Sequence, residues 1–189
     1  MPLAQEKRYT YADVLAWDDD TRYELYDGQP VALASPSNIH QEISAGLVAQ
    51  LYNYLFGKKC RVYHAPFDVQ LFAGKFDKPR DIDTVVQPDI AVLCDESKTA
   101  GHDCKGAPDL IIEILSPSSM QYDQFIKLDL YRKAGVKEYW IVDPIKNTIS
   151  VYLLEGRRYR SPVTYGADAE ISVSILEDCK IDLKLVFRE

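Results

Sequence analysis

Two acidic residues stand alone inside apolar runs: Asp89 in Gln87-Pro88-Asp89-Ile90, and Glu113 in Ile111-Ile112-Glu113-Ile114-Leu115-Ser116-Pro117-Ser118. Runs of this kind read as strands covered on both faces. Each carboxylate would then face hydrocarbon on at least one side, and an unpaired buried carboxylate is costly. Two such acids on neighbouring strands repel unless a cation, a proton or a hydrogen-bond donor lies between them. A bound divalent metal accounts for both. The plainer alternatives are a turn or strand end for Asp89 and a satisfied core acid for Glu113.

Three further residues are candidates. Lys127 falls on a helix with Asp123 and Tyr131 four residues to either side, on one face. Paired only with Asp123, it would be a surface lysine in a contact worth a few tenths of a kcal/mol. Glu24, in the first hairpin, reads from its position alone as a polar residue on the solvent face. His40, near a helix start, either reaches the site or contacts solvent. Asp109 reads as a strand-entry residue. Ser35, Ser116 and Ser118 sit beside prolines, outside any nucleophile-elbow pattern, and no glycine-rich phosphate loop is present.

The elements that must position these residues follow from periodicity and turn chemistry. Thr10-Tyr11-Ala12-Asp13 has the form of a capping box before a short helix, 11–17. Strands 22–26 and 29–34 flank Asp27-Gly28, a strong hairpin signal. Ile39, Ile43, Leu47, Leu51 and Tyr54 recur at helical spacing up to Gly57. Strands are expected at 61–65, 68–72, 85–94 and 109–115, with polar loops at 73–84 and 95–107. A helix over 120–134 ends at Gly135, a strand follows at 138–142, and 148–154 pairs with 158–164. Trp140 is expected in the core, and a last strand covers 181–187. The order strand, strand, helix, strand implies an α/β core with a crossover helix.

Whole-chain properties set outer limits. The 189 residues fit one domain, with residues 1–8 as a flexible N-terminus. No apolar run approaches the roughly 20 residues needed to cross a bilayer, and the first residues lack the apolar core of a secretory signal. Cys60, Cys94, Cys104 and Cys179 lie far apart in sequence, so free thiols in a reducing cytoplasm are expected. A net charge of −7 argues against a general nucleic-acid coat protein. The charge is uneven, however: residues 81–126 hold nine acids against two lysines, while 127–160 hold eight bases against four acids. An acidic centre between basic flanks suits a metal site that also faces phosphates, although linear charge blocks often disperse on folding.

Tyr23-Glu24-Leu25-Tyr26-Asp27-Gly28, Ser35-Pro36-Ser37 with His40, Gln87-Pro88-Asp89-Ile90, Ile112-Glu113-Ile114-Leu115-Ser116-Pro117-Ser118, Lys127 with Tyr131, and Gly135-Val136-Lys137-Glu138-Tyr139-Trp140 occur in this order. Each piece is a common peptide. The ordered set, from about Tyr9 to the C-terminus, resembles the Uma-two family of restriction endonuclease-like proteins, within the PD-(D/E)XK nuclease superfamily.

The resemblance implies a mixed sheet flanked by helices, with N-terminal and C-terminal β-hairpin additions. It implies Mg²⁺ or Mn²⁺ held by Asp89 and Glu113, with Glu24 and His40 as accessory residues and DNA or RNA as partner. Hard divalent ions take carboxylate oxygens and keep positions for water and phosphate. The superfamily pattern places a lysine two residues after the second acid, and this chain has Leu115 there. The family supplies a lysine instead at Lys127, which makes Asp89, Glu113 and Lys127 the expected catalytic set. The expected function is metal-dependent phosphodiester hydrolysis of DNA by a soluble cytoplasmic protein, with a homodimer for double-strand cleavage. The alternative is a catalytically idle relative that serves as a nucleic-acid-binding or protein-interaction module.

Overall fold

The computed structural model describes residues 7–101, 103–116 and 125–187. Its first helix, α1 (Tyr11–Leu15), opens on a complete capping box between Thr10 and Asp13. Strands β1 (Tyr23–Tyr26) and β2 (Gln29–Ala32) form the expected hairpin. Asp27 and Gly28 take φ of 48° and 78°, the two positive values that a tight hairpin turn of this hand requires. Arg8, within the segment expected to be flexible, instead pairs with Asp27 and Asp83, and the Tyr9 amide donates to the Gly28 carbonyl. Residues 1–6 lie outside the described set.

Helix α2 (Asn38–Leu55) starts at Ser37, whose hydroxyl accepts from the His40 amide, and buries Ile43, Leu47, Leu51 and Leu55 as one stripe. Then come β3 (Arg61–His64), β4 (Asp68–Gln70), β5 (Ile90–Leu93), β6 (Thr99–Ala100), β7 (Asp103–Lys105) and β8 (Leu110–Ile114). Helix α3 (Lys127–Ala134) ends at Gly135 in the left-handed region. The remaining strands are β9 (Glu138–Asp143), β10 (Thr148–Glu155), β11 (Arg158–Tyr159), β12 (Val163–Gly166), β13 (Glu170–Ser172) and β14 (Lys180–Asp182). The part of the expected helix before Phe125, including Asp123, lies outside the described residues.

The main sheet runs β3-β5-β8-β9-β10, and β11 and β12 both pair with β10. Its pairs are antiparallel except β8 with β9, which are joined through α3 as a βαβ unit. Alternation along the strands sends side chains to two cores. Ile90, Val92, Leu110, Ile112, Trp140 and Val142 pack with α2 and the β13–β14 hairpin. Ala91, Leu93, Ile111, Tyr139 and Ile141 pack with Tyr131 and Val136 and with Val69 and Cys104 of a smaller sheet, β4-β7-β6. Glu113 alternates with Ile112 and Ile114, so its side chain belongs to the face covered by α3. Among the described residues no helix is long and apolar enough to cross a membrane.

Several expectations need correction. The strand expected at 85–94 is β5 alone. Val85 and Val86 make isolated bridges to Leu25 and Val69, and Pro88, which lacks an amide hydrogen, separates the two parts. The loop expected at 95–107 contains β6 and β7, since β7 finds a parallel partner in β4. The expected pairing of 148–154 with 158–164 is present as β10 with β11 and β12, and β10 carries it onto the main sheet through β9. The last strand is only β14, after which Asp182 accepts from the Lys184 amide and turns the chain into a 3₁₀ segment. Cys60 and Cys94 are not free thiols. Arg61 pairs with Leu93 in the antiparallel β3–β5 ladder, so Cys60 and Cys94 come opposite one another and are joined by a disulfide. Cys104 and Cys179 are free and buried, and burial pushes their thiols up to about 12 and about 11.

Candidate active site

The site begins with strand register. Ile90 of β5 lies opposite Ile112 of β8 in an antiparallel pair. One step outward, Asp89 therefore comes opposite Glu113, and directly opposed residues share a face. Asp89 is fixed there by its backbone and its side chain: its carbonyl accepts from the Ala65 amide at 3.0 Å, and its Oδ2 accepts from the Ile114 amide at 2.7 Å. His40 Nε2, from the first turn of α2, lies 3.1 Å from the same oxygen. Asp89 Oδ1 has no hydrogen bond among the described residues.

Glu113 is 3% exposed and reaches α3. Its Oε1 accepts from Lys127 Nζ at 3.0 Å and from the Tyr131 hydroxyl at 2.6 Å. Lys127 and Tyr131 sit one helical turn apart, which lets both address one carboxylate. Glu24 arrives from the β1–β2 hairpin, which is docked by the bridge between Leu25 and Val85. Its Oε1 lies 3.0 Å from Lys127 Nζ and accepts from the Gln87 amide at 2.8 Å, while the Tyr26 hydroxyl donates to Oε2.

Lys127 thus sits buried between two buried carboxylates. Burial by itself would push its pKa down, but attraction from Glu113 and then Glu24 outweighs it and holds the ammonium well above the usual lysine range. Burial, with the Glu113 charge adding, keeps the Tyr131 phenol well above its ordinary value. Burial likewise raises Tyr26. The side chains in this knot are therefore a fixed cation and neutral hydroxyls that donate to carboxylates.

Glu24, His40, Asp89, Glu113 and Lys127 all line one pocket of about 450 Å³. Its lining carries three carboxylates against two fixed cations, Arg22 and Lys127. The structure overturns the surface reading of Lys127, which is 4% exposed, and the solvent-face reading of Glu24, which is 2% exposed. The site residues fall into two contact groups, Glu24–Lys127–Glu113 and His40–Asp89. Among the described residues, no three His, Cys, Asp or Glu side chains are grouped closely enough to hold a metal by themselves. Sequence reasoning gave no role to Tyr26 and Gln87. The first has a legible signal, a tyrosine two positions along the strand from an acid; the Gln87 amide contact is made by backbone and leaves none.

The family model for Uma2, described as "Putative restriction endonuclease", matches residues 11–184. The chain belongs to this family. A relative from Synechocystis sp., the uncharacterized protein slr1290, is 27% identical over 154 residues, which cover 80% of this chain and 77% of that protein. A crystal structure described as a putative nuclease belonging to DUF820, from Anabaena variabilis, superposes with a TM-score of 0.73 at 21% identity. It covers 94% of this chain and 97% of its own. That similarity shows the fold: a restriction endonuclease-like mixed sheet with helices on its faces. The Uma2 match agrees with the family read from the ordered motifs.

Proposed function

We propose that this Uma2 protein is a metal-dependent phosphodiester hydrolase acting on DNA, with Asp89, Glu113 and Lys127 as its catalytic residues. The observation that carries the reading is a buried ammonium, Lys127, held between two carboxylates on the wall of a pocket that also presents Asp89. A structural ion pair needs no pocket, and two carboxylates facing each other across strand ends suit a divalent cation that in turn takes phosphate oxygens.

The donor set fits a hard divalent ion. Asp89 Oδ1 carries no other bond among the described residues, Glu113 lies opposite it in register, and both offer only oxygen. Two carboxylates without a third are enough for Mg²⁺ or Mn²⁺, which keep several waters and take phosphate oxygens as ligands. When bound, such an ion supplies Lewis-acid polarisation of the phosphoryl group and a water of lowered pKa. Lys127, held protonated, cannot accept a proton; it donates toward the charge that builds on the phosphoryl oxygens. Tyr131 fixes the Glu113 carboxylate, and Glu24 with Tyr26 fixes the far side of the ammonium. His40 orients Asp89. Cleavage of both strands would call for a two-fold pair of chains.

Incubation with linear and circular DNA, and with RNA, in Mg²⁺ or Mn²⁺ and in chelator, tests the reading. Metal-dependent cleavage of DNA that Glu113→Gln abolishes is the expected result. Absence of cleavage across these substrates, with DNA still bound, would instead favour a nucleic-acid-binding module.

A further inference from the structure

A second collection of oxygen acceptors lies on the smaller sheet and reaches the pocket wall at Gln87. In the parallel β4–β7 pair Asp68 stands opposite Asp103 and Gln70 opposite Lys105. On the other side of β4, Val69 bridges Val86 in antiparallel sense, which brings Gln87 opposite Asp68. Alternate residues share a face. Gln87, Asp68 and Asp103 therefore make one polar row, with Gln70 next to it on the same face.

The contacts follow that register. Gln87 Nε2 donates to Asp68 Oδ1 at 2.8 Å, Gln70 Nε2 donates to Asp103 Oδ2 at 2.5 Å, and the Tyr11 hydroxyl of α1 donates to Asp68 Oδ2. Each amide has used a hydrogen on a carboxylate, and its oxygen is stranded: Gln70 Oε1 and Gln87 Oε1 are both buried without a hydrogen-bond partner. Gln70 as a residue is 1% exposed. A buried carbonyl oxygen left unsatisfied costs about 1–3 kcal/mol, and two on amides bonded to neighbouring carboxylates of one row call for a partner.

No side-chain cation provides it. Among the described residues Asp68 and Asp103 bond only to uncharged donors and make no ion pair, and Lys105, nearest in register, donates its Nζ to the Asp77 carbonyl at 2.6 Å. Burial, with the Asp68 charge adding and Lys105 opposing, pushes the Asp103 carboxyl above its ordinary value. The group is thus short of positive charge and rich in oxygen.

We propose that Asp68, Asp103, Gln70 Oε1 and Gln87 Oε1 form a second cation site, of calcium type, separate from the catalytic pair. Calcium accepts carboxylate and amide oxygens together at variable geometry, whereas magnesium demands a near-ideal octahedron. Such an ion ties β4, β7 and the segment before Asp89, and through Asp68 it reaches Tyr11 of α1. The Gln87 amide also donates to Glu24 Oε1, so the ion would stiffen the wall on which the Glu24–Lys127 contact rests. Calcium binding here does not depend on the pocket being an enzyme.

Calcium titration by calorimetry and by thermal midpoint separates this site from the pocket. In Glu113→Gln, one calcium site should persist and the midpoint should rise with calcium. Adding Asp103→Asn should weaken that binding at least tenfold, and Gln70→Met should weaken it as well. Should Glu113→Gln prove too unstable to purify, Asp103→Asn in the wild-type background should lower the calcium stoichiometry by one. No heat and no midpoint change in wild type up to about 10 mM calcium, beyond the weakest modules of this kind, would overturn the proposal and leave a bound water as the partner of the two oxygens. Equal calcium binding with and without Asp103→Asn would overturn it too.

Discussion

Glu24 and Glu113 converge from a hairpin and a central strand onto Lys127, which lies 3.0 Å from each. Asp68 and Asp103 converge from two adjacent strands and, among the described residues, meet amide and phenol donors but no ion-paired cation. The first pair carries its own cation, covalently attached and buried. The second is left to find a cation in solvent. A chain-borne ammonium cannot leave, so it fixes the geometry of the pocket at all times and at a desolvation cost repaid only while both carboxylates are present. A solvent ion is exchangeable, and any stability it adds varies with its concentration.

The largest effect should come from breaking the first cluster. Glu113→Ala strips a buried ammonium of one carboxylate and strands the Tyr131 hydroxyl, and urea unfolding should register a loss of about 3–5 kcal/mol. Next in size, Tyr131→Phe removes one charged hydrogen bond and should cost about 1.5–3 kcal/mol in the same assay.

The pH profile sharpens the contrast. Lys127 has a folded pKa above its unfolded value, so its stabilisation is complete below the unfolded lysine pKa and is lost only as pH rises through the folded one. Tyr131, also raised, adds to the fall in that alkaline range. The urea midpoint should therefore show no loss from this cluster through neutral pH and drop in the strongly alkaline range, more gently in Lys127→Met. Asp103 has the same sign in a lower window. A carboxyl raised in the folded state keeps its full contribution below the unfolded pKa and loses it as pH rises from there through the folded pKa, because the unfolded chain releases the proton more readily. The smallest effect is thus a modest rise in thermal midpoint for Asp103→Asn at neutral pH in chelator, reversing in sign when calcium is added. A fall in chelator would show that Asp103 is already satisfied by its donors.

The same contrast explains what could be read from the residues alone. Glu113 was conspicuous because β8 is buried on both faces and the acid interrupts an otherwise apolar run. Helical spacing, which acts within a few residues, puts Lys127 and Tyr131 on one face, and only the family resemblance makes Lys127 a site residue rather than a surface lysine. The burial of Glu24 depends on how the hairpin docks against Val85, a contact across 60 residues with no local signature. Asp68 and Asp103 meet only because β4 and β7 pair in parallel from opposite ends of two loops. The Cys60–Cys94 disulfide has no local signature for a similar reason: 34 residues separate two positions that antiparallel pairing sets opposite. Periodicity exposes faces, whereas non-local pairing decides which faces meet.

Cleavage by Lys127→Ala at saturating Mn²⁺, measured beside its Mn²⁺ affinity, tests the central claim most directly. A fixed ammonium that stabilises the phosphoryl charge should be needed for turnover and not for holding the metal. Cleavage of DNA should fall by about two to four orders of magnitude, while Mn²⁺ affinity stays level or rises slightly with the loss of a nearby positive charge. Cleavage equal to wild type, with the variant folded and metal bound, would contradict the assignment of Lys127.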